Sequence, residues 1–444
     1  MPRHPAHVGR RERGYIITDP PYGLAFMGKE WDHGVPGVAY WAEALRVAKP
    51  GAMLCAFGGT RTHHRLMCAI EDAGWEIRDC LMWVYGSGFP KSANLSKMID
   101  AKILHGGSNS RRIKKANADR PGQGRVRKAS NNNGMVATGG HTRDPIKDTP
   151  ATPDAVLWEG YGTALKPAYE PIILAMKPLP GTFAQNALDY GVAGINVDGC
   201  RVPSNGEDTS RPLSFQQGWK QTSPNGTGSI DDNWKKGRWP ANLLLSHHPA
   251  CNGECHPDCP IRLMDEQSGE SGGGSLVRNN HKNPYGSERT WSVSSTPAQQ
   301  TRGYIDTGGA SRFFTRFHYS AKASRSEREL GLLGHIPCVK CGQLDSETHI
   351  NAKTGKEEKC RRNGHPTVKP LDVCRWLCKL TRTPTGGVVL DPFMGSGRIP
   401  MAAILEGRDA IGIELERPSF EIAQAACRWA EEQEPEVEQM ELIA

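Results

Sequence analysis

A short turn near the start of the chain brings together an acid, two prolines and an aromatic ring. The residues are Asp19, Pro20, Pro21 and Tyr22, and they follow the apolar run 15–17. The carboxylate of Asp19 and the backbone carbonyl of Pro20 are acceptors that can hold the two hydrogens of an amino group. The prolines hold the turn rigid, so these acceptors need no reorganisation. The ring of Tyr22 offers a flat face on which a planar ring can stack.

A second loop, near the end of the chain, is rich in glycine and follows another apolar run. It spans Asp391–Gly397, after 387–390. A glycine-containing turn at the carboxyl end of a buried strand lets backbone N–H groups approach a ligand closely. A helix is predicted over 398–405, then a strand over 410–413 and then Glu414, 23 residues beyond the first residue of the loop. This order is typical of sites in which the acid binds ribose hydroxyls, and it predicts a nucleoside cofactor.

Strand and helix patterns alternate in the regions that must position these two motifs. Near the start, strands are predicted over 15–18, 52–57 and 76–85, and helices around 40–45 and 62–72. The last part of the chain repeats this alternation, which predicts an α/β fold with a mostly parallel sheet covered by helices. The polar middle, 101–360, is predicted to be a large insertion at the edge of the catalytic domain, with ordered islands at 168–177 and 239–245.

The two motifs together resemble the DNA methyltransferases that methylate amino groups with S-adenosylmethionine. The catalytic motif precedes the cofactor motif, and this order is similar to that of the β class of the family. The resemblance implies a Rossmann-like sheet with a circularly permuted motif order. The segment 364–370 is similar to the one that, in this class, closes over the methionine end of the cofactor. Segments 87–92, 312–314 and 321–324 resemble phage and prophage members.

The resemblance implies a site-specific enzyme that transfers a methyl group to N6 of an adenine flipped out of double-stranded DNA. The catalytic residues implied are Asp19, Pro20, Pro21 and Tyr22. The cofactor-binding residues implied are Asp391, Pro392, Phe393, Gly395, Ser396, Gly397, Glu414, His365, Thr367 and Lys369. The β class also implies a homodimer. The recognised bases, and the existence of a restriction partner, stay open.

Three other functions compete with adenine methylation. Methylation of cytosine N4 activates an exocyclic amine in the same way, but Asp rather than Ser at position 19 favours adenine. A non-catalytic DNA-binding protein on the same scaffold is disfavoured because the residues of both motifs are intact. Methylation of RNA or of a protein amide is disfavoured because enzymes of that type usually carry Asn where this chain has Asp19.

The positive charge of the chain is concentrated in one stretch. Residues 101–150 hold 11 Lys or Arg against 3 Asp or Glu, a balance of +8, whereas the whole chain carries +7. This stretch is rich in Gly, Asn and Ser, which predicts a mobile loop. It is either a solvated insertion or a non-specific contact with DNA phosphates, whose affinity would fall steeply with salt.

Two groups among the 13 cysteines have spacings that suit a metal. Cys338 and Cys341 form a Cys-x2-Cys knuckle, and Cys360 lies further along the chain. Structural zinc takes four tetrahedral nitrogen or sulfur ligands, and either His349 or His365 would complete this set. His365 therefore has two competing assignments, one to the cofactor and one to the metal.

A second possible zinc site contains Cys251, Cys255 and Cys259, preceded by His247 and His248. Three residues separate its successive cysteines, and this spacing is less typical of a zinc site than the two-residue spacing of the knuckle. The histidines nevertheless make a full set of four ligands available. The alternative for both groups is a set of ordinary reduced cysteines.

Four regions are predicted along the chain. They are the catalytic half of the methyltransferase domain over 1–100, a basic flexible insertion over 101–160, a target-recognition region over 161–360 and the cofactor-binding half over 361–444. The chain has no run of 18 apolar residues, and its first residues lack the charged and then apolar layout of a secretory signal. We therefore expect a cytoplasmic protein, and the family resemblance implies that it is bacterial or phage-encoded and associated with the nucleoid.

Overall fold

The structure of this protein is a computed structural model. The residues it describes are 14–24, 32, 34–86, 92–106, 149–203, 237–248, 250–251, 254–270, 308–317, 323–351, 355–365 and 367–433. They fall into two compact units, one made of 1–86 with 169–444 and one of 87–168.

The larger unit contains both sequence motifs. Its strands are β1 (Tyr15–Thr18), β2 (Met53–Phe57), β3 (Glu76–Val84), β4 (Tyr169–Met176), β5 (Leu243–Ser246), β6 (Thr315–Phe317), β7 (Thr348–Ile350), β8 (Glu357–Lys359), β9 (Val389–Asp391) and β10 (Ala410–Gly412). The α-helices among the described residues are α1 (Val38–Val47), α2 (His63–Asp72), α3 (Leu95–His105), α4 (Pro153–Leu157), α5 (Phe183–Tyr190), α6 (Pro260–Ser268), α7 (Arg325–Arg328), α8 (Leu371–Leu380), α9 (Arg398–Leu405) and α10 (Arg417–Glu431), of which α3 and α4 belong to the smaller unit.

Eight of these strands form one sheet, in the order β10-β9-β1-β2-β4-β3-β5-β6. Neighbouring strands are parallel, except that β4 runs antiparallel to both β2 and β3. The predicted mixed α/β fold with a mostly parallel sheet is confirmed. β7 and β8 form a separate antiparallel hairpin.

The centre of the sheet is buried on both faces because β1, β2 and most of β4 are apolar. Tyr15 and Ile17 of β1 lie in the core cluster that includes side chains of α8 and α9. Ile16, between them, lies in the cluster that includes Trp41 of α1 and Leu66 of α2. Alternate residues of one strand therefore pack against helices on opposite faces, as the pleat of a covered sheet requires.

The polar middle of the sequence contributes more to the sheet than the sequence predicts. β4, β5 and β6 all come from 161–360, the stretch assigned to target recognition. β4 lies between β2 and β3, and its apolar run 172–176 is buried. The stretch 101–360 is therefore not a single insertion at the sheet edge, because a strand that is apolar on both faces is stable only inside a covered sheet.

The smaller unit contains two capped helices. Asn94 caps α3 by accepting a hydrogen bond from the backbone N–H of Lys97, and α3 ends at Gly106 in the left-handed conformation. Asp100 of α3 accepts hydrogen bonds from the backbone N–H groups of Ala151 and Thr152, at 2.8 and 3.0 Å. The central part of the basic stretch, 107–148, lies outside the described residues.

Along the described part of the chain, none of the helices combines the length and the apolar character needed to cross a membrane.

Candidate active site

The two motifs meet because the strands that precede them are neighbours. β1 and β9 pair in parallel, with Ile16 opposite Leu390. Parallel neighbours end at the same edge of a sheet, so Asp19 and Asp391 both lie at the carboxyl edge, where open α/β sheets bind ligands. The hydroxyl of Thr18 donates a hydrogen bond of 2.7 Å to Oδ1 of Asp391 and links the two loops directly.

The carboxylate of Asp19 is held by a lysine from the other end of the chain. Nζ of Lys369 lies 2.9 Å from Oδ2 of Asp19 and 3.3 Å from Oε2 of Glu170, and only 9% of the lysine side chain is exposed. Burial lowers the pKa of Lys369, but the charges of the two carboxylates and their hydrogen bonds outweigh burial and raise it above its ordinary value. Lys369 is therefore a permanent ammonium group between two acids.

Tyr22 is fixed against the same group of charges. Its hydroxyl donates a hydrogen bond of 3.1 Å to Glu170, and the ammonium of Lys369 lies 5.1 Å from the centroid of its ring. The hydroxyl of Thr62 donates to the backbone carbonyl of Tyr22 at 2.6 Å. Burial raises the pKa of Tyr22, and the negative charges of Asp19 and Glu170 raise it further. The phenol therefore stays neutral and remains a donor.

Two acids that position this turn were not identified from the sequence. Glu170 stands in β4, and because β4 is antiparallel to β2, its first residues lie at the edge where β2 ends. Asp32 is buried and accepts hydrogen bonds from the backbone N–H groups of Gly23 and Leu24, at 2.8 and 3.2 Å. A charged residue inside an otherwise apolar strand is the signal that would have singled out Glu170.

The glycine loop after β9 is held mainly by its own backbone. Oδ1 of Asp391 accepts a hydrogen bond of 3.1 Å from the N–H of Phe393. The N–H of Met394 donates to the carbonyl of Ile413, and that of Gly397 donates to Met394, at 3.0 and 2.8 Å. The loop therefore closes a tight turn that leads directly into α9.

Two glycines in this loop have positive φ angles. Gly395 has φ of +53°, and Gly397 has φ of +78°. A Cβ at Gly397 would lie 2.6 Å from Cβ of Ala423, and one at Gly395 would lie 3.0 Å from Nε2 of His365. The sequence predicts glycine here for close approach to a ligand, and the structure adds that the surrounding protein also leaves no room for a side chain.

The acid at the end of the next strand lies at the same edge. β10 pairs in parallel with β9, with Gly412 opposite Asp391, so Glu414 comes just beyond the end of the sheet. Oε1 of Glu414 accepts a hydrogen bond of 2.7 Å from the backbone N–H of Glu416, which fixes the carboxylate. The ring of Phe393 lies 5.9 Å from that of the exposed Tyr40.

His365 packs against the glycine loop and not against the thiols. Its Nδ1 is buried and lacks a hydrogen-bond partner among the described residues. Burial lowers the pKa of His365, although the charge of Glu414 opposes this effect. The imidazole is therefore neutral at pH 7. Thr367 is half-buried, and Pro366, between them, lies outside the described residues.

Each of the two groups of cysteines lies next to a histidine. One cluster contains His247, Cys251, Cys255 and Cys259, and the other contains Cys338, Cys341, His349 and Cys360. We call them the 247–259 cluster and the 338–360 cluster. In each, one nitrogen or sulfur atom from every residue lies within 4.8 Å of the corresponding atoms of the other three. The sequence left His349 and His365 as alternative fourth ligands for the Cys338–Cys341 knuckle, and the structure places His349 beside it.

The α/β sheet sets the Asp19–Tyr22 turn beside the glycine loop. Comparison of the sequence with family models identifies the family. The model of the N6_N4 DNA methylase family matches residues 14–425. The chain therefore belongs to this DNA methylase family, whose cofactor is S-adenosylmethionine. Nδ1 of His365, which has no hydrogen-bond partner among the described residues, the glycine turn and the fixed carboxylate of Glu414 fit such a group.

Individual relatives are more distant. The type II methyltransferase M.ScaI of Streptomyces caespitosus is 37% identical over 93 residues, which are 20% of this chain and 30% of that protein. Among solved structures, M1.HpyAVI is 11% identical with a TM-score of 0.33, and covers 94% of this chain and 87% of that one. The cytosine-N4-specific PvuII DNA methyltransferase is 10% identical with a TM-score of 0.35, over 95% of this chain and 86% of that one.

Proposed function

We propose that this protein transfers a methyl group from S-adenosylmethionine to N6 of an adenine flipped out of duplex DNA. The observation that carries the proposal is the pairing of β1 with β9, because it sets the Asp19–Tyr22 turn beside the glycine loop. The hydrogen bond from Thr18 to Asp391 then keeps the two loops in one arrangement.

The chemical problem is that the amine of adenine is a poor nucleophile, since its lone pair is conjugated with the ring. The bound cofactor supplies an electrophilic methyl group on a sulfonium. Asp19 and the backbone carbonyl of Pro20 accept the two hydrogens of the amine and so favour a more tetrahedral nitrogen. These acceptors are aimed in advance, because Pro20 and Pro21 restrict the backbone and Lys369 holds the carboxylate.

Lys369 acts in this proposal as a positioning residue for Asp19. The family resemblance implies that it binds the carboxylate of the cofactor, but its ammonium group is already shared between Asp19 and Glu170. We therefore assign the carboxylate of the methionine moiety to Thr367 and to backbone N–H groups. Lys369 then holds one oxygen of Asp19, while the other oxygen faces the amine.

The rest of the cofactor is assigned to the glycine loop and its neighbours. Glu414 would accept hydrogen bonds from the ribose hydroxyls, and Phe393 would lie against the planar base of the nucleoside. His365 is neutral, its Nδ1 has no hydrogen-bond partner within the described part of the chain, and it would offer one polar contact above Gly395. The remaining members of the predicted cofactor set, Asp391, Pro392, Ser396 and Gly397, shape the turn.

The target base would enter unstacked from the duplex. Extruding a nucleotide costs a few kcal/mol, and stacking on an aromatic side chain returns about 1–3 kcal/mol. Tyr22 would provide that stacking. Its ring is already oriented by the hydrogen bond to Glu170, so little side-chain entropy is lost when the base arrives.

Cytosine N4 is the second candidate target. The acceptors at Asp19 and Pro20 would serve a cytosine amine equally well, and Asp rather than Ser at position 19 is the feature that favours adenine. The deciding experiment is to sequence genomic DNA, with detection of modified bases, from cells that express the wild-type chain or Asp19→Ala. N6-methyladenine at one sequence motif in the wild-type sample alone supports the proposal. N4-methylcytosine would replace it with the second candidate, and no modification would contradict both.

The basic stretch is proposed to contact DNA phosphates. Phosphate contacts position a protein on DNA without selecting sequence. Deletion of 107–148 should therefore lower affinity for all duplexes alike and reduce the salt dependence of binding, measured by fluorescence anisotropy, while S-adenosylmethionine affinity is kept. A deletion that changed which site is methylated would instead assign this stretch to base readout.

A further inference from the structure

We infer that this chain binds two structural zinc ions, one in the 247–259 cluster and one in the 338–360 cluster. Each cluster offers three cysteine thiols and one imidazole. Cys3His is one of the ligand sets that structural zinc sites use, and the four ligands close the coordination sphere without an open position for substrate. The inference does not depend on methyl transfer, because neither cluster contains a residue of the proposed catalytic or cofactor sets.

Two distances between ligand atoms in each cluster match those of a tetrahedron around zinc, and the remaining ones are all within 4.8 Å. Zn–S bonds of about 2.3 Å and Zn–N bonds of about 2.0–2.1 Å, at tetrahedral angles, place two sulfurs about 3.8 Å apart and a sulfur and a nitrogen about 3.6 Å apart. In the 338–360 cluster, Cys341 and Cys360 have their sulfurs 3.7 Å apart, and Cys360 lies 3.6 Å from Nδ1 of His349. In the 247–259 cluster, Nδ1 of His247 lies 3.4 and 3.6 Å from the sulfurs of Cys255 and Cys259.

A disulfide explains this geometry less well. A disulfide brings two sulfurs to about 2.05 Å from each other, and it does not involve a histidine. None of the cysteines among the described residues forms a disulfide. Four soft ligands that converge on one point, in two separate places, indicate a shared ion in each place.

The backbone supports both clusters with N–H groups directed at sulfur. The N–H of Arg361 donates to Cys338 at 3.4 Å. In the other cluster, the N–H of His248 donates to Cys259 at 3.4 Å, and that of His256 donates to Cys251 at 3.3 Å. Such bonds stabilise thiolates, which are the form that binds metal, and they orient the ligands before the ion arrives.

The 338–360 cluster has the construction of a zinc knuckle facing a hairpin. The knuckle turns at Gly342, whose φ is +74° and whose N–H donates to the carbonyl of Cys338 at 2.8 Å. His349 stands on β7, and Cys360 follows β8 directly, so the hairpin presents both remaining ligands. The two strands are short and polar, and such a hairpin has too little apolar surface to be stable alone. Metal binding would supply the missing free energy of folding.

The 247–259 cluster ties the end of one strand to the start of a helix. His247 follows β5, and its N–H donates to the carbonyl of Phe317 at the end of β6. Cys259 is fully buried and forms the N-cap of α6, although its side chain makes no capping hydrogen bond. An ion here would fix this edge of the sheet, where β5 and β6 are only four and three residues long.

The test is metal analysis of the full chain, expressed with zinc in the medium and purified without chelator. We expect two zinc ions per chain by mass spectrometry, and X-ray absorption at the zinc edge should report three sulfur ligands and one nitrogen ligand per ion. Cys255→Ala and Cys341→Ala should each lose one ion. Cys68→Ala, at an exposed single cysteine, is the matched control and should keep both.

The outcomes separate without any activity assay. Wild-type protein that is folded by circular dichroism and contains no zinc after incubation with the metal would overturn the inference, as would zinc without sulfur ligands or iron in its place. If a cysteine variant fails to fold, the absorption spectrum of the wild type still decides. Loss of one ion in each variant, with both retained in Cys68→Ala, supports both sites and leaves the proposed methylation to its own test.

Discussion

The two turns at the carboxyl edge of the sheet are held in opposite ways. The Asp19–Tyr22 turn depends on side chains from other parts of the chain: Lys369 and Glu170 bind its residues, and Asp32 binds the two backbone N–H groups that follow it. The glycine loop depends on hydrogen bonds with its own backbone and the next strand, and on two positive φ angles. Substitution of a single polar side chain should therefore change the chemistry of the first turn, whereas a change at one of its glycines should disrupt the second.

The largest effect is expected when the acceptor itself is removed. Asp19→Ala deletes one of the two acceptors of the amine, and loss of one preorganised group of this kind costs about 10²–10³-fold in rate. Calorimetric titration should show S-adenosylmethionine affinity within about threefold of wild type, because the glycine loop is held by its own backbone. Single-turnover methylation near the wild-type rate would refute the role of Asp19.

A backbone change should break the second turn. Gly397→Ala forces a side chain into a left-handed conformation, at about 1–2 kcal/mol, and against Ala423 at 2.6 Å. We expect S-adenosylmethionine affinity to fall at least about tenfold by calorimetry. Gly386→Ala is the matched control, since Gly386 has φ of +76° but no atom within 4 Å of its added Cβ. Equal losses of affinity in both variants would contradict the argument from close packing.

Asp391, which the hydrogen bond from Thr18 links to the first turn, should make the stability of the protein depend on pH. Burial raises the pKa of Asp391 to about 7, because hydrogen bonds from Thr18 and the N–H of Phe393 only partly offset the loss of hydration. Its other oxygen, Oδ2, lacks a partner among the described residues. The folded state therefore binds the proton more tightly than the unfolded state, so stability falls as pH rises from about 4 to 7.

Asp391→Asn should remove this dependence. The amide keeps the acceptor that Thr18 and Phe393 use, and it carries no charge, so we expect the variant to be more stable than wild type at pH 8 by about 2 kcal/mol. At pH 4 the two should be nearly equal. Urea unfolding at both pH values measures the difference. A variant that is less stable at pH 8 would show that the ionised carboxylate has a partner that stabilises it.

The smallest effect is expected at the lysine between the two acids. Lys369→Met keeps the length of the side chain and removes its charge, and loss of a charged hydrogen bond costs about 1.5 kcal/mol, or about tenfold in rate. The loss should appear in single-turnover assays while calorimetry shows unchanged S-adenosylmethionine affinity, because the ammonium binds Asp19 and Glu170. A loss of cofactor affinity in place of the loss in rate would assign Lys369 to the cofactor.

The contrast between the two turns also explains what the sequence could predict. The strands that flank the glycine loop, and α9 between them, were predicted correctly because these elements follow one another directly along the chain and each has a clear apolar pattern. β1 and its turn were predicted as well. Glu170 was not, since its place at the site follows from the antiparallel direction of β4, and strand direction is not encoded in the alternation of apolar residues.

The thiol clusters show the same limit. Sequence spacing singled out all six clustered cysteines but left His349 and His365 as alternatives. The choice depends on the β7–β8 hairpin, whose three-residue strands are too short and too polar to produce a recognisable pattern. The hairpin places His349 opposite Glu358 and brings Cys360 alongside. His365, five residues further on, is left for the glycine loop.

The pairing of β3 with β4 has a consequence for how this protein could vary. Val84, at the end of β3, lies directly opposite Tyr169, at the start of β4, so the chain leaves and re-enters the sheet at adjacent positions about 5 Å apart. Everything between them, 85–168, is formally the loop of a β-hairpin, and a loop whose ends are already joined by the sheet tolerates large changes of length. This segment can therefore be exchanged for another, or shortened to a tight turn, with the ladder between β3 and β4 left intact. The smaller unit can therefore be replaced, in evolution or by design, without a change to the core of the sheet.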